Sequence, residues 1–191
     1  MKILRSAFLV LILCAAVYPQ TVDQGQGIFY NGQGAIALVL DTSVANLKLN
    51  DPYVMFMVFM AAKGDQSIAV NRDDVTLVYQ DKEYKMPSVK ELREKYSGQN
   101  NDIGLYRRLG KESLALSPMR LYTFPWKYDF FPVVGLQESL VTDEGSMAST
   151  IGFRTKLYFK NPGFKKGDKI LIRVMDRKNP ALTGEVAAVF K

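Results

Sequence analysis

Asp129, Asp143, Glu144 and Asp168 are the carboxylates that could supply a hydrolytic pair. Carboxylate-based glycoside cleavage needs two such groups facing each other across a cleft. Nothing in their spacing pairs them, and no Ser-x-x-Lys stands at a suggestive site. The chain has no histidine, and its single cysteine is Cys14. Ser-His-Asp triads, His-ligated zinc and imidazole acid–base steps are therefore excluded. The expectation is no catalytic residue, no metal site and no cofactor. "NRDD" sets Asn71 and Asp73 two apart with Asp74 next, a cluster of oxygens that a hard cation would favour. The same residue types make a turn whose Asn and Asp bond their own backbone, and that is the expected reading. "DRKN" at 176–179 reads the same way. "GQGIFYNGQG" lacks the Lys-Ser/Thr of a phosphate loop and reads as a linker.

Two features could bind rather than react. In "LYTFPWKYDFFP", Tyr122, Phe124, Trp126, Tyr128 and Phe130 recur at every second residue. On an extended chain they share one face, either as a stacking platform for a glycan or as core beneath a covering segment. Pro125 and Pro132 place that strand at an edge or make it irregular. In "TIGFRTKLYFK", Arg154, Lys156 and Lys160 alternate with Phe153, Thr155, Leu157 and Phe159. Lys169 and Arg173 lie on the outer side of the following strand, "ILIRV". If the two strands pair, these five cations form one patch for an anionic partner. A solvated face that blocks edge aggregation is the plainer alternative.

The elements that must position these residues begin after the N-terminus. Lys2 and Arg5 precede an unbroken apolar run, Ala7 to Val17, that ends in small residues. That is the pattern of a secretory signal peptide over residues 1–20. Leu13, bulky before Cys14, argues against lipidation at that cysteine. Without those 20 residues, 23 basic side chains face 19 acidic ones. Residues 21–34 are rich in Gly and Gln and read as a flexible lead-in, in which Ile28 to Tyr30 could form a short edge strand. Residues 35–191 then form one domain.

"YVMFMVFMAA" at 53–62 carries no charge. As a helix it would rise only ~15 Å, about half a bilayer. As a strand it is apolar on both sides and must be covered on both. It is expected at the centre of a sheet, with a sandwich core on one side and an inserted segment on the other. "SIAV", "VTLVY" and "EYKM" continue as a meander. Ser88 and Glu91 have capping-box spacing for a helix in "VKELREKY", and Asp102 and Gly110 are expected to bound a second. Strand patterns return from Arg120.

Many short strands with turns and one helical insertion at about 88–110 predict an all-β, mainly antiparallel sandwich. "YVMFMVFMAAKGDQSIAVNRDDVTLVY", read as a central hairpin, is similar to immunoglobulin-like domains of bacterial envelope proteins. That resemblance implies a fold and no site residue. The expected role is an exported, periplasmic or extracellular, non-catalytic binding or scaffolding protein. Its partner would be an envelope protein or an anionic or glycan surface. No nucleic-acid partner and no transmembrane span in the mature chain are expected. Three rivals remain: a glycan-binding module using 122–130, a small outer-membrane barrel, and a carboxylate hydrolase.

Overall fold

The computed structural model describes residues 20–133 and 140–191, apart from the Trp126 side chain. The expected signal peptide, all but its last residue, lies outside the described residues. The chain enters in β1 (Val22–Gly25) and β2 (Ile28–Asn31), an antiparallel hairpin. Its turn holds Gly25, Gln26 and Gly27 at positive φ, where glycine is tolerated best. The stretch read as a flexible lead-in is thus part of the sheet, and Ile28 is wholly buried. Its Gly and Gln make a tight turn rather than a tether.

β3 (Ile36–Asp41), the short α1 (Ser43–Leu47) and β4 (Tyr53–Ala62) follow. Then come β5 (Ser67–Asn71), β6 (Val75–Tyr79) and β7 (Lys82–Lys85). The helical insertion comprises α2 (Val89–Lys95), α3 (Gln99–Leu109) and α4 (Glu112–Leu116). β8 (Thr123–Asp129), β9 (Leu140–Val141), β10 (Glu144–Ala148), β11 (Ile151–Lys160), β12 (Lys169–Met175) and β13 (Thr183–Val189) complete the chain.

The strands form two sheets. The larger runs β1-β2-β3-β4-β11-β10-β5, with β8 added to β11 and β9 to β8. The smaller runs β13-β12-β6-β7. Pairing is antiparallel except for β8–β11 and β8–β9, which are parallel. The fold is therefore all-β and mainly antiparallel. Among the described residues no helix is long and apolar enough to cross a membrane.

β4 shows why its sequence carries no charge. It lies between β3 and β11, hydrogen-bonded on both edges. Val54, Phe56, Val58 and Met60 join the core shared with the smaller sheet. Phe59 and Ala61 turn the other way, into a second cluster with Ala115 and Met119 of the helical segment. The central strand is covered on both sides, as its composition requires.

Ser88 caps α2 by accepting the Glu91 amide at 3.0 Å. Glu91 does not close the box; its carboxylate takes Lys95 at 3.1 Å and the Tyr53 hydroxyl at 3.2 Å. Gly110 ends α3 in the left-handed region, as expected. Asp102 does not start that helix: α3 begins at Gln99, and Asp102 is buried on its first turn. The reason is an ion pair. Lys48 meets Asp102 at 2.5 Å, and the Tyr96 and Tyr158 hydroxyls donate to the same carboxylate. Tertiary charge pairing outweighs a local capping preference. The insertion also runs further than 110, because α4 and a 3₁₀ turn at Ser117–Met119 extend it.

Candidate functional site

The expected five-cation patch does not form. β11 and β12 belong to different sheets, so their outer faces are not neighbours. The cause lies in the loop between them. Asn161 donates to the Leu49 and Asp51 carbonyls and accepts from the Gly163 and Phe164 amides. Phe164 then packs between Tyr79 and Phe190, each with ring centres 4.9 Å away. Burying that ring carries the chain across to the smaller sheet. There Arg173 is bound by Glu185 at 2.6 Å and Glu83 at 3.1 Å, and Lys169 is exposed. Lys160 is exposed at the far end of β11. Arg154 and Lys156 instead face the helical layer.

Nor do the aromatic residues share one face. Along β8, Thr123 pairs with Ile151 and Trp126 with Phe153. Phe124 and Pro125 thus oppose the single Gly152, a bulge that shifts the side-chain parity. Phe124 turns to the helical side and meets Phe59 edge-on at 5.7 Å. Gly152 makes room for it, since a Cβ there would come within 2.7 Å of the Phe124 ring. Tyr128 and Phe130 turn to the opposite face, against Phe153. Phe130 is buried, whereas Tyr122 is half-buried.

The carboxylates offered for hydrolysis are scattered. Asp129 pairs with Lys156 at 2.8 Å. Glu144 pairs with Arg177 at 2.7 Å, next to Asp143 in the turn before β10. Asp168 accepts from the Tyr79 hydroxyl at 2.7 Å. "NRDD" forms a 3₁₀ turn at Arg72–Asp74 in which Asn71 accepts the Asp73 amide and Asp74 accepts that of Asn71. Among the described residues no cluster of three or more carboxylate, His or Cys side chains is placed to hold a metal.

What the fold does assemble is a half-open cleft of about 230 Å³ between α3–α4 and the sheet. Its floor is set by strand register. Arg154 stands beside Phe59 of β4 and Lys127 of β8; Lys156 stands beside Met57. Two ion pairs define the walls: Arg154 with Glu112 of α4, and Lys156 with Asp129. Met57, Ile103 and Tyr106 supply apolar surface, and Arg107 also lines the cleft. The cations are poorly solvated: the side chains of Arg154 and Lys156 are only 14% and 12% exposed. Glu112, Lys127 and Tyr106 could not be tied to Arg154 by spacing. No local signal pointed to them, because alternating charges on a strand fit a solvated face equally well.

Below the cleft lies a polar cluster without full partners. Asp41, at the end of β3, is 2% exposed; its Oδ1 accepts the Ser43 amide at 2.8 Å. Its Oδ2, the Ser43 hydroxyl and the Tyr106 hydroxyl have no hydrogen-bond partner among the described residues. Burial raises the Asp41 carboxyl above its ordinary value. Burial, with Asp41 nearby, likewise raises the Tyr106 phenol, which stays an O–H donor. The protonated form of Asp41 is the one the fold prefers. That preference is fully present below the ordinary carboxylate pKa and is lost as pH rises through the folded value. Asp41→Asn is therefore expected to stabilise the protein by about 1 kcal/mol at pH 7.5, with the gain vanishing near pH 4. Urea unfolding at the two pH values checks this.

No protein-family model, curated protein or solved structure matches this chain. Its functional reading rests on its own residues.

Proposed function

We propose that this chain is an exported, non-catalytic binding domain of the bacterial cell envelope, built on an immunoglobulin-like sandwich. Export is supported by the basic, then apolar, then small-residue N-terminus. The observation that carries the binding reading is the cleft and the state of its charges. Both of its carboxylates, Glu112 and Asp129, are held by cations, Arg154 and Lys156. The concave, partly apolar surface lined by these ion pairs suits recognition.

Osmotic shock of producing cells is expected to release the protein without detergent, with about 20 N-terminal residues removed. A detergent requirement or an intact N-terminus would sink the export reading. A thermal-shift screen of the purified protein against acidic and neutral envelope saccharides then tests binding. At saturating ligand a rise of about 4 °C or more is expected.

A second reading is favoured by one observation. Tyr122 and Phe124, with Ser113, Ser117, Arg120 and Thr123, line a broader groove on the helical side. Aromatic edges beside hydroxyls suit a neutral glycan. Loss of oligosaccharide binding in Tyr122→Ala, with Lys127→Ala unaffected, would favour this groove over the cleft.

A further inference from the structure

We infer that the cleft is an oxyanion site for a phosphate-type group, and that Glu112 is its built-in competitor. The inference rests on the reading of this chain as a binding domain and names the chemistry of that domain's ligand.

The first observation is a like-charge pair. Lys127 and Arg154 are register partners on adjacent strands, both lining the cleft. Two cations held on neighbouring strands of one cleft repel each other, and they repel more strongly where water is scarce. Lys156 follows two residues after Arg154 on the same face, about 7 Å along the strand. Three cations therefore converge from β8 and β11 beside two carboxylates, and Arg107 of α3 lines the same cleft.

The second observation concerns how those carboxylates are held. Asp129 is a fixed part of the fold: its side chain is 4% exposed and its Oδ1 also accepts the Phe131 amide at 3.1 Å. Glu112 is not fixed in this way. It sits on the first turn of the five-residue α4, its side chain is 46% exposed, and it reaches in from the rim to Arg154. Lys127, exposed at the same rim, has no ion-pair partner among the described residues. Arg154 and Lys127 thus present an arginine fork and an ammonium at one mouth, a combination that suits a tetrahedral oxyanion. An entering anion exchanges with Glu112 at Arg154 while Asp129 keeps Lys156 in place. The released Glu112 swings to solvent, so the exchange needs no change in the sheet.

The test is titration of the purified protein with inorganic phosphate and with pyrophosphate, at pH 7.5 and low ionic strength, by calorimetry. The prediction has opposite signs at two neighbouring residues. Glu112→Gln removes the competitor and is expected to tighten binding about tenfold; Lys127→Ala is expected to weaken it about fivefold. Lys127→Glu, a reversal at the exposed rim, is expected to abolish binding and keeps the test decisive if Glu112→Gln loosens α4. Binding that is equal in all forms, or weaker in Glu112→Gln with its fold intact, overturns the site. No phosphate or pyrophosphate binding in any form also overturns it. In that case retained binding of a neutral oligosaccharide shows that only the ligand class has failed, and not the binding-domain reading.

Discussion

Replacing Lys48 by Met is expected to destabilise the protein by about 3–5 kcal/mol, the loss typical of a buried ion pair broken on one side. Lys48 lies just beyond α1, and its ammonium reaches Asp102 at 2.5 Å, Asp51 at 2.7 Å and the Tyr96 hydroxyl at 2.9 Å. Although burial works against its charge, the hydrogen bonds it donates to Asp102, Asp51 and Tyr96 hold it above the ordinary lysine value. Asp102 is 1% exposed, so without Lys48 its buried carboxylate keeps, among the described residues, the phenols of Tyr96 and Tyr158. Burial already raises that carboxyl. Removing the cation raises it further, so the deficit should shrink as the pH falls and the acid becomes neutral.

Urea unfolding at pH 7.5 and pH 4.5 measures both effects. A companion double variant, Lys48→Met with Asp102→Leu, replaces the pair by apolar groups and should regain part of the loss, the remainder being the cost of the buried Tyr158 phenol left without its acceptor. A single variant within about 1 kcal/mol of the parent would show that the pair does not fasten the helical layer to the sheet.

Phe56→Ala is the other large effect, again about 3–5 kcal/mol. The ring has no exposed surface and lies at the middle of β4. It stacks with Phe190 at 6.2 Å and tilts against Phe159 at 6.3 Å, so it joins the central strand to the chain's last buried residue. Both neighbours sit on hydrogen-bonded backbone, and the cavity cannot collapse without moving a strand. With typical domain stabilities of about 5–15 kcal/mol, such a loss leaves a marginal protein. Denaturant unfolding gives the number. A cost near that of an exposed Phe would mean that the two sheets do not share a core at this point.

The parts of the fold legible in the sequence were those set by local period and local chemistry. Residues 53–62 had to be a doubly covered strand because they carry no charge on either parity. Phe153, Leu157 and Phe159 had to face inward because they alternate with Arg154 and Lys156; Tyr158, expected outward with those cations, is instead wholly buried beneath the helical layer, where its hydroxyl donates to Asp102. Ser88 and Gly110 act at helix ends through bonds and φ angles that span a few residues. The turn at 71–74 closes on its own side chains. Chemistry excluded by the missing imidazole was equally plain.

Composition and period thus determined an all-β chain with a buried central strand, a helical cover and no imidazole chemistry. Tertiary structure decided the rest, because it depended on energies that act between distant residues. Burial of Phe164 sent the loop after β11 to the other sheet and parted Lys169 and Arg173 from Arg154 and Lys156. One extra residue opposite Gly152 divided the aromatic strand between two faces. The ion pairs with Glu112 and Asp129 turned two cations, by pattern solvent-facing, into the floor of a cleft. A period of two says that a side chain lies on one face or the other; only packing says what covers that face.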